Sequence, residues 1–218
     1  MPISAKSAAC NTVSYLTFLL CAFQINALNI VIPGGTGPVG RLLASSLSKS
    51  ETPHTVTILA RNAFLASAPN RVSTDFGWLG ESFLENSPGV YIRDWDGGDL
   101  LDIVGCDWMG WQEDTLKNAD IVVNLVGGYT NQRVMATERI VRESLSVNPT
   151  ALQITVSPIE EELRKYSPGL IETKLKRINT CEEMVKANCL SSACLRVEMN
   201  DAKQICSQIL EVIDGYEK

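Results

Sequence analysis

The chain has 218 residues, 45% of them hydrophobic, with a formal net charge of −6 and a pI near 4.9. That length and apolar fraction suit one domain with a full core, and the absence of any basic block excludes nucleic acid as the expected partner. A single histidine, His54, precludes a His-based metal cluster, and none of the seven cysteines has C-x-x-C spacing, so neither a zinc ribbon nor a thioredoxin-like site is expected.

The N-terminus carries no charge from Ser7 to Gly40, with Lys6 ahead of it and a largely apolar run over Val13–Phe23. A basic start, an apolar stretch of about 7–15 residues and a small residue at the cut describe a secretory signal peptide. Ala22 or Ala27 would precede the cut. Residues 1–27 are therefore read as a targeting segment and 28–218 as the folded domain. The Ala22-Phe23 junction resembles the bipartite plastid presequences of algae with secondary plastids. The alternative is an N-terminal helix packed on the domain, which leaves the protein cytoplasmic. No stable membrane span is expected, because about 20 apolar residues would have to include Ile30–Ile32, which the first strand needs.

The elements then alternate. Leu28–Ile32 reads as a strand and Pro38–Ser48 as a helix. Thr55–Ala60 is a second strand, and residues 62–88 form a polar, irregular stretch with a helix around Gly80–Glu85. Val90–Trp95 is a third strand, residues 96–110 are loop-like, and Asp114–Asn118 fits a short helix. Asp120–Val126 is a near-continuous apolar strand, as a parallel sheet buried on both faces requires. Asn131–Ser146 is a helix with an apolar stripe at Val134, Ile140, Val141 and Leu145, followed by a strand at Ala151–Val156. Ile159–Tyr166, Lys174–Asn188, Ala193–Val197 and Asp201–Ile213 read as helix, helix, strand and helix. This alternation predicts an α/β doubly wound parallel sheet of the Rossmann type, a single domain with an abbreviated C-terminal lobe.

The glycines at 34, 37 and 40 carry the chemistry. They lie in Pro33-Gly34-Gly35-Thr36-Gly37-Pro38-Val39-Gly40, after a strand and at the opening of a helix. Gly34 permits the tight turn, Gly37 lets a pyrophosphate approach, and Gly40 lets the helix pack on the sheet. The helix N-terminus is aimed at the same anion. The ligand expected is a dinucleotide. After the second strand stands Ala60-Arg61-Asn62, with no acid nearby in sequence to bind the ribose 2′-hydroxyl of NAD. A planar guanidinium suits a 2′-phosphate, so Arg61 points to NADP, with NAD as the alternative.

These segments resemble the short-chain dehydrogenase/reductase superfamily in its extended and atypical, sugar-epimerase-like or NmrA-like branches. Ile32–Gly40 is similar to the Gly-Gly-Thr-Gly-x-x-Gly opening. Leu116–Gly128 is similar to the Ala-Asp-x-Val-x-Asn-Leu-Ala-Gly strand, and Gln132–Ile140 to the helix after it. Cys181–Val197 is similar to the helix, turn and arginine-ending strand that come later. The resemblance implies that Asn124, Leu125, Val126 and Gly127 lie along the nicotinamide side of the cofactor, and that Ser157 holds the position of a catalytic serine.

The chain departs from that family where catalysis is concerned. A Tyr-x-x-x-Lys pair puts both side chains on one helical face, where the ammonium lowers the phenol's pKa. No such pair exists here: Tyr129 leads to Arg133 and Tyr166 to Leu170. Ser157, in Val-Ser-Pro, could equally cap a helix. Two readings follow. The first is a cofactor-binding sensor, scaffold or assembly factor with a protein partner. The second is an NADP-dependent oxidoreductase or epimerase acting on a small carbonyl or sugar-nucleotide substrate, with Ser157, Tyr166 and Lys174 as catalytic candidates. The four tryptophans cluster in residues 78–111, where packing of a loop layer is expected, with a cover over the site or a protein contact as the alternative.

Overall fold

The computed structural model describes residues 27–67, 83–95, 97, 110–127, 130–166 and 168–216. Residues 1–26 of the expected targeting segment, Trp78 and Trp108 lie outside them.

Six strands form one all-parallel sheet: β1 (Asn29–Pro33), β2 (Thr55–Ala60), β3 (Val90–Asp94), β4 (Ile121–Asn124), β5 (Leu152–Pro158) and β6 (Ser192–Val197). Their order is β3-β2-β1-β4-β5-β6. The chain steps outward from β1 to β3, then crosses back to place β4 on the other side of β1. Strand order reverses between β1 and β4, and ligands of such sheets bind at the carboxyl ends beside that reversal. Register sets Ile32 beside Ile58, and Val31 beside both Thr57 and Val122.

Both faces of the sheet are covered, which is why β1 and β4 read as unbroken apolar runs. On one face Ile30, Ile32, Val56, Ile58, Ile121 and Val123 pack with Leu43 and Leu47 of α1 (Pro38–Ser48) and Ile205 and Ile209 of α6 (Ala202–Asp214). On the other, Val31, Leu59 and Val122 pack with Trp95, Trp111, Leu116 and residues of α3 (Asn131–Val147). Each such aliphatic side chain contributes roughly 1.5–3 kcal/mol when fully buried. The sheet and its two layers are thus held from both sides, leaving the strand ends to carry the site.

Several elements differ from the sequence expectation. Phe83–Asn86 form turns rather than the end of a helix, and the rest of that expected helix lies outside the described residues. The helix expected at Asp114–Asn118 is a wide π-helical turn at Gln112–Leu116, anchored by the fully buried Trp111. A short α2 (Ala63–Ser67) starts within the stretch read as irregular, where Asn62 Oδ1 accepts the Leu65 N–H at 2.8 Å. α3 buries a face rotated from the expected stripe: Arg133, Ala136, Thr137, Arg139, Ile140, Val141 and Ser144, with Val134 and Leu145 only half-buried. Its polar members are partnered, Thr137 with the Arg133 carbonyl at 2.9 Å, Ser144 with Gln153 at 2.7 Å and Arg139 with Glu143 at 2.9 Å. Hydrophobicity alone could not reveal that face. α4 (Glu160–Tyr166) and α5 (Ile171–Asn188) follow β5, and α5 packs on α3, β5 and β6. Ser157 lies within β5 and caps no helix.

Candidate functional site: the carboxyl edge of β1, β2 and β4

The glycine turn is locked by backbone. Gly34 has φ +73 and donates its N–H to the Leu59 carbonyl at 3.2 Å, while Gly35 donates back to Ile32 at 3.2 Å. A β-carbon on Gly34 would lie 2.8 Å from Val126 Cα and N, and one on Gly40 would lie 2.4 Å from Gly35 Cα and O. Gly34 thus lets β1 approach the exit of β4, and Gly40 lets α1 close on the turn. Gly37 differs, because a β-carbon there would meet nothing within 4 Å. It is the extended N-cap of α1, with Pro38 next, no side-chain cap and no acid in the first turn. The first N–H groups of a helix lack intrahelical acceptors and carry partial positive charge. An anion is the chemical complement of that end.

Arg41 braces the turn. Its Nε donates to the Thr36 carbonyl at 3.0 Å and its guanidinium to the Ala66 carbonyl at 2.9 Å, and it stacks 5.2 Å from the Phe83 ring centroid. Beneath α1, Cys206 Sγ donates to the Val39 carbonyl at 3.3 Å, and burial pushes this thiol up to about 11. The thiol is therefore neutral and serves as packing.

A cavity of about 220 Å³ opens at this edge, lined by Gly34, Thr36, Leu59, Ala60, Arg61, Trp95, Gly97, Val126, Gly127 and Gln132. No carboxylate is among these residues. Asp94 stands near, in register opposite Ala60, but its Oδ1 accepts the Ala63 N–H at 2.6 Å. Trp95 is almost fully buried and meets Trp111 edge-on, with centroids 5.6 Å apart. A cavity walled by glycine backbone, an indole and one guanidinium suits an aromatic, phosphate-bearing ligand.

Of the residues singled out from sequence, Gly34, Thr36, Arg61, Val126 and Gly127 line the cavity. Gly35, Gly37, Pro38, Val39 and Gly40 build the turn and helix start beside it. Asn124 is buried and works internally, accepting the Val126 N–H at 3.0 Å and donating to Thr137 at 3.2 Å. It shapes the exit of β4, and Leu125 packs against the core. Leu59, Ala60, Trp95, Gly97 and Gln132 complete the lining; of these only Trp95 belongs to a group, the tryptophan cluster, that the sequence allows to cover the site. Only Trp95 and Gly97, at and just after the end of a β-rich strand, offered a local signal.

None of the three catalytic candidates is among the lining residues. Ser157 is wholly buried, and its Oγ accepts from the Arg133 guanidinium at 3.0 Å. That guanidinium also donates to the Val156 carbonyl at 2.8 Å. Tyr166, at the end of α4, is 66% exposed, with the Lys165 ammonium 4.9 Å from its ring centroid. Lys174 lies in α5, half-buried. Among the described residues no group of three or more His, Cys, Asp or Glu side chains could hold a metal ion, and no helix is long and apolar enough to cross a membrane.

No family model matches the chain, and no curated protein matches it. Solved structures do. The Sniffer protein of Caenorhabditis elegans is similar at 11% identity and a TM-score of 0.54, over 86% of this chain and 91% of its own. The Bordetella bronchiseptica enzyme WbmG, solved in complex with NAD and UDP, is similar at 12% identity and 0.52, over 80% of this chain and 54% of its own. The terminal R domain of the myxalamid PKS-NRPS pathway is similar at 16% identity and 0.51, over 79% and 49%. The chain spans about half the length of the last two. The likeness is one of fold: the doubly wound sheet that the resemblance to short-chain dehydrogenases/reductases implies.

Proposed function

We propose that this chain binds NADP(H) at the carboxyl edge of β1, β2 and β4 and acts through that binding as a sensor, scaffold or assembly factor. The observation that carries the reading is the cavity itself. Among the described residues its walls include glycine backbone from the ends of β1, β3 and β4, Arg61 is their one cationic side chain, and none is a carboxylate. The residues fit the group: the α1 N-terminus and the open face of Gly37 suit the pyrophosphate, Arg61 the 2′-phosphate, and Val126 and Gly127 a flat ring system. WbmG, which shares the fold, was solved with NAD, and this supports the ligand class. A bound nicotinamide supplies a hydride acceptor or donor; the chain's own residues hold and orient it.

The reading without hydride transfer draws on the other side of the site. Ser157 is sealed and pinned by Arg133, and the sequence has no Tyr-x-x-x-Lys pair. The test is to load the full chain with NADPH and follow nicotinamide absorbance across a panel of small carbonyl compounds and sugar nucleotides. Saturable binding with constant absorbance is expected. Multiple-turnover oxidation of NADPH on any of them would establish the oxidoreductase instead. The targeting role of residues 1–27 belongs to the same proposal, and a C-terminal fluorescent fusion reports it through cleavage and compartment.

A further inference from the structure

We infer that Gly97 is a positioning residue for Arg61, and through it sets the preference of the site for a 2′-phosphate over a 2′-hydroxyl. The inference rests on the proposed binding of NADP(H). Gly97 lies just past β3, buried, with φ +71, while Arg61 lies just past β2 with its side chain exposed. The two strand ends are held together by the register of Ala60 with Asp94 and by the Trp95 N–H donating to the Ala60 carbonyl at 3.0 Å. Residues 61 and 97 therefore leave the sheet side by side.

The contact between them is close. A β-carbon at Gly97 would lie 2.7 Å from Arg61 Cδ and 2.8 Å from Cγ, and 3.9 Å from Nε. The aliphatic stem of Arg61 thus lies in the space that any other residue's β-carbon would fill. Both residues line the cavity. A side chain at 97 would push the stem aside and carry the guanidinium with it. Two independent constraints, positive φ and stem contact, select glycine here. Only the second bears on the ligand, and the molecule contains a control that separates them. Gly89 has φ +80 as well, but a β-carbon there would meet only the His54 carbonyl oxygen at 3.5 Å.

The experiment titrates NADPH and NADH into the full chain and into Gly97→Ala, Gly89→Ala, Arg61→Ala and the Arg61→Ala/Gly97→Ala double variant. Gly97→Ala is expected to weaken NADPH about tenfold and leave NADH unchanged, in line with loss of one charge-assisted phosphate contact. Gly89→Ala should keep the wild-type ratio. The double variant should bind NADPH no more weakly than Arg61→Ala alone, because Gly97 acts through Arg61. If Gly97→Ala does not fold, Gly97→Asn carries the same test with less backbone strain. Retention of the wild-type ratio in the residue-97 variant, or equal loss of both cofactors, overturns the inference while leaving the Arg61 reading intact. An unchanged ratio in Arg61→Ala overturns the Arg61 reading, and the inference with it.

Discussion

The two halves of the sheet's carboxyl edge are built to opposite ends. At β1, β2 and β4 the polypeptide withdraws: glycines replace side chains, Gly37 and Gly127 face open space, and a cavity results. At β5 it closes in, with Ser157 wholly buried under the Arg133 guanidinium and every residue of the strand buried. The first half can admit a ligand and hold its charge. The second spends its polar groups on one another. On the proposed function, that contrast is the physical reason to expect binding without turnover.

The largest effect is expected at the open half. Gly40→Ala drives a β-carbon to within 2.4 Å of the Gly35 backbone, which has no flexible end to yield. Overpacking of this kind costs about 3 kcal/mol, a fall in Tm of roughly 6–12 °C for a domain of this size. Thermal melting and an NADPH titration should show both the fall and loss of binding; an unperturbed melt would mean that the turn is looser than described. Arg61→Ala comes next, with NADPH affinity expected to drop by about 10–100-fold and NADH affinity unchanged, as a lost hydrogen bond to a charged group implies. Competitive titration of the two cofactors measures the difference.

The closed half should respond in stability and not in binding. Ser157→Ala removes an acceptor from a buried guanidinium whose Nε already lacks a hydrogen-bond partner. The expected cost is about 1–3 kcal/mol in denaturant unfolding, with the NADPH Kd unchanged. A selective loss of NADPH binding or of a measured turnover would place Ser157 in the working site and erase the contrast between the halves. The smallest effect concerns pH. Burial holds His54 below the ordinary imidazole value of 6.5, with Asp214 opposing, and its Nδ1 accepts the Leu28 N–H at 3.0 Å. The folded imidazole resists a proton that the unfolded chain accepts. Its contribution is therefore full above about pH 6.5 and is lost as pH falls through the lowered folded value. His54→Gln should flatten that limb of the stability profile, and an unchanged limb would assign it to other groups.

Much of the open half was legible because its signals are local. The apolar runs at Ile30–Ile32 and Ile121–Val123, the glycine spacing and Arg61 after β2 each follow from neighbours in sequence. Gly97 and Gln132 join the same cavity from other strands' connections, and their convergence depends on sheet order, which no single segment encodes. Asp94 illustrates the limit in the other direction: distant from Arg61 in sequence, it stands opposite Ala60 in the sheet. The buried face of α3 was missed because Arg133, Thr137, Arg139 and Ser144 read as solvent-facing until their partners are known. The same blindness hid the fate of Ser157, since nothing in Val-Ser-Pro announces an arginine arriving from α3.

The most direct test of the central claim is a side-by-side calorimetric titration of the full chain with NADPH and with NADH. Saturable binding of NADPH at one site per chain is expected, with at least about tenfold weaker binding of NADH, the factor that one guanidinium–phosphate contact supplies. Absence of heat and of protection against thermal unfolding with both cofactors would contradict the claim.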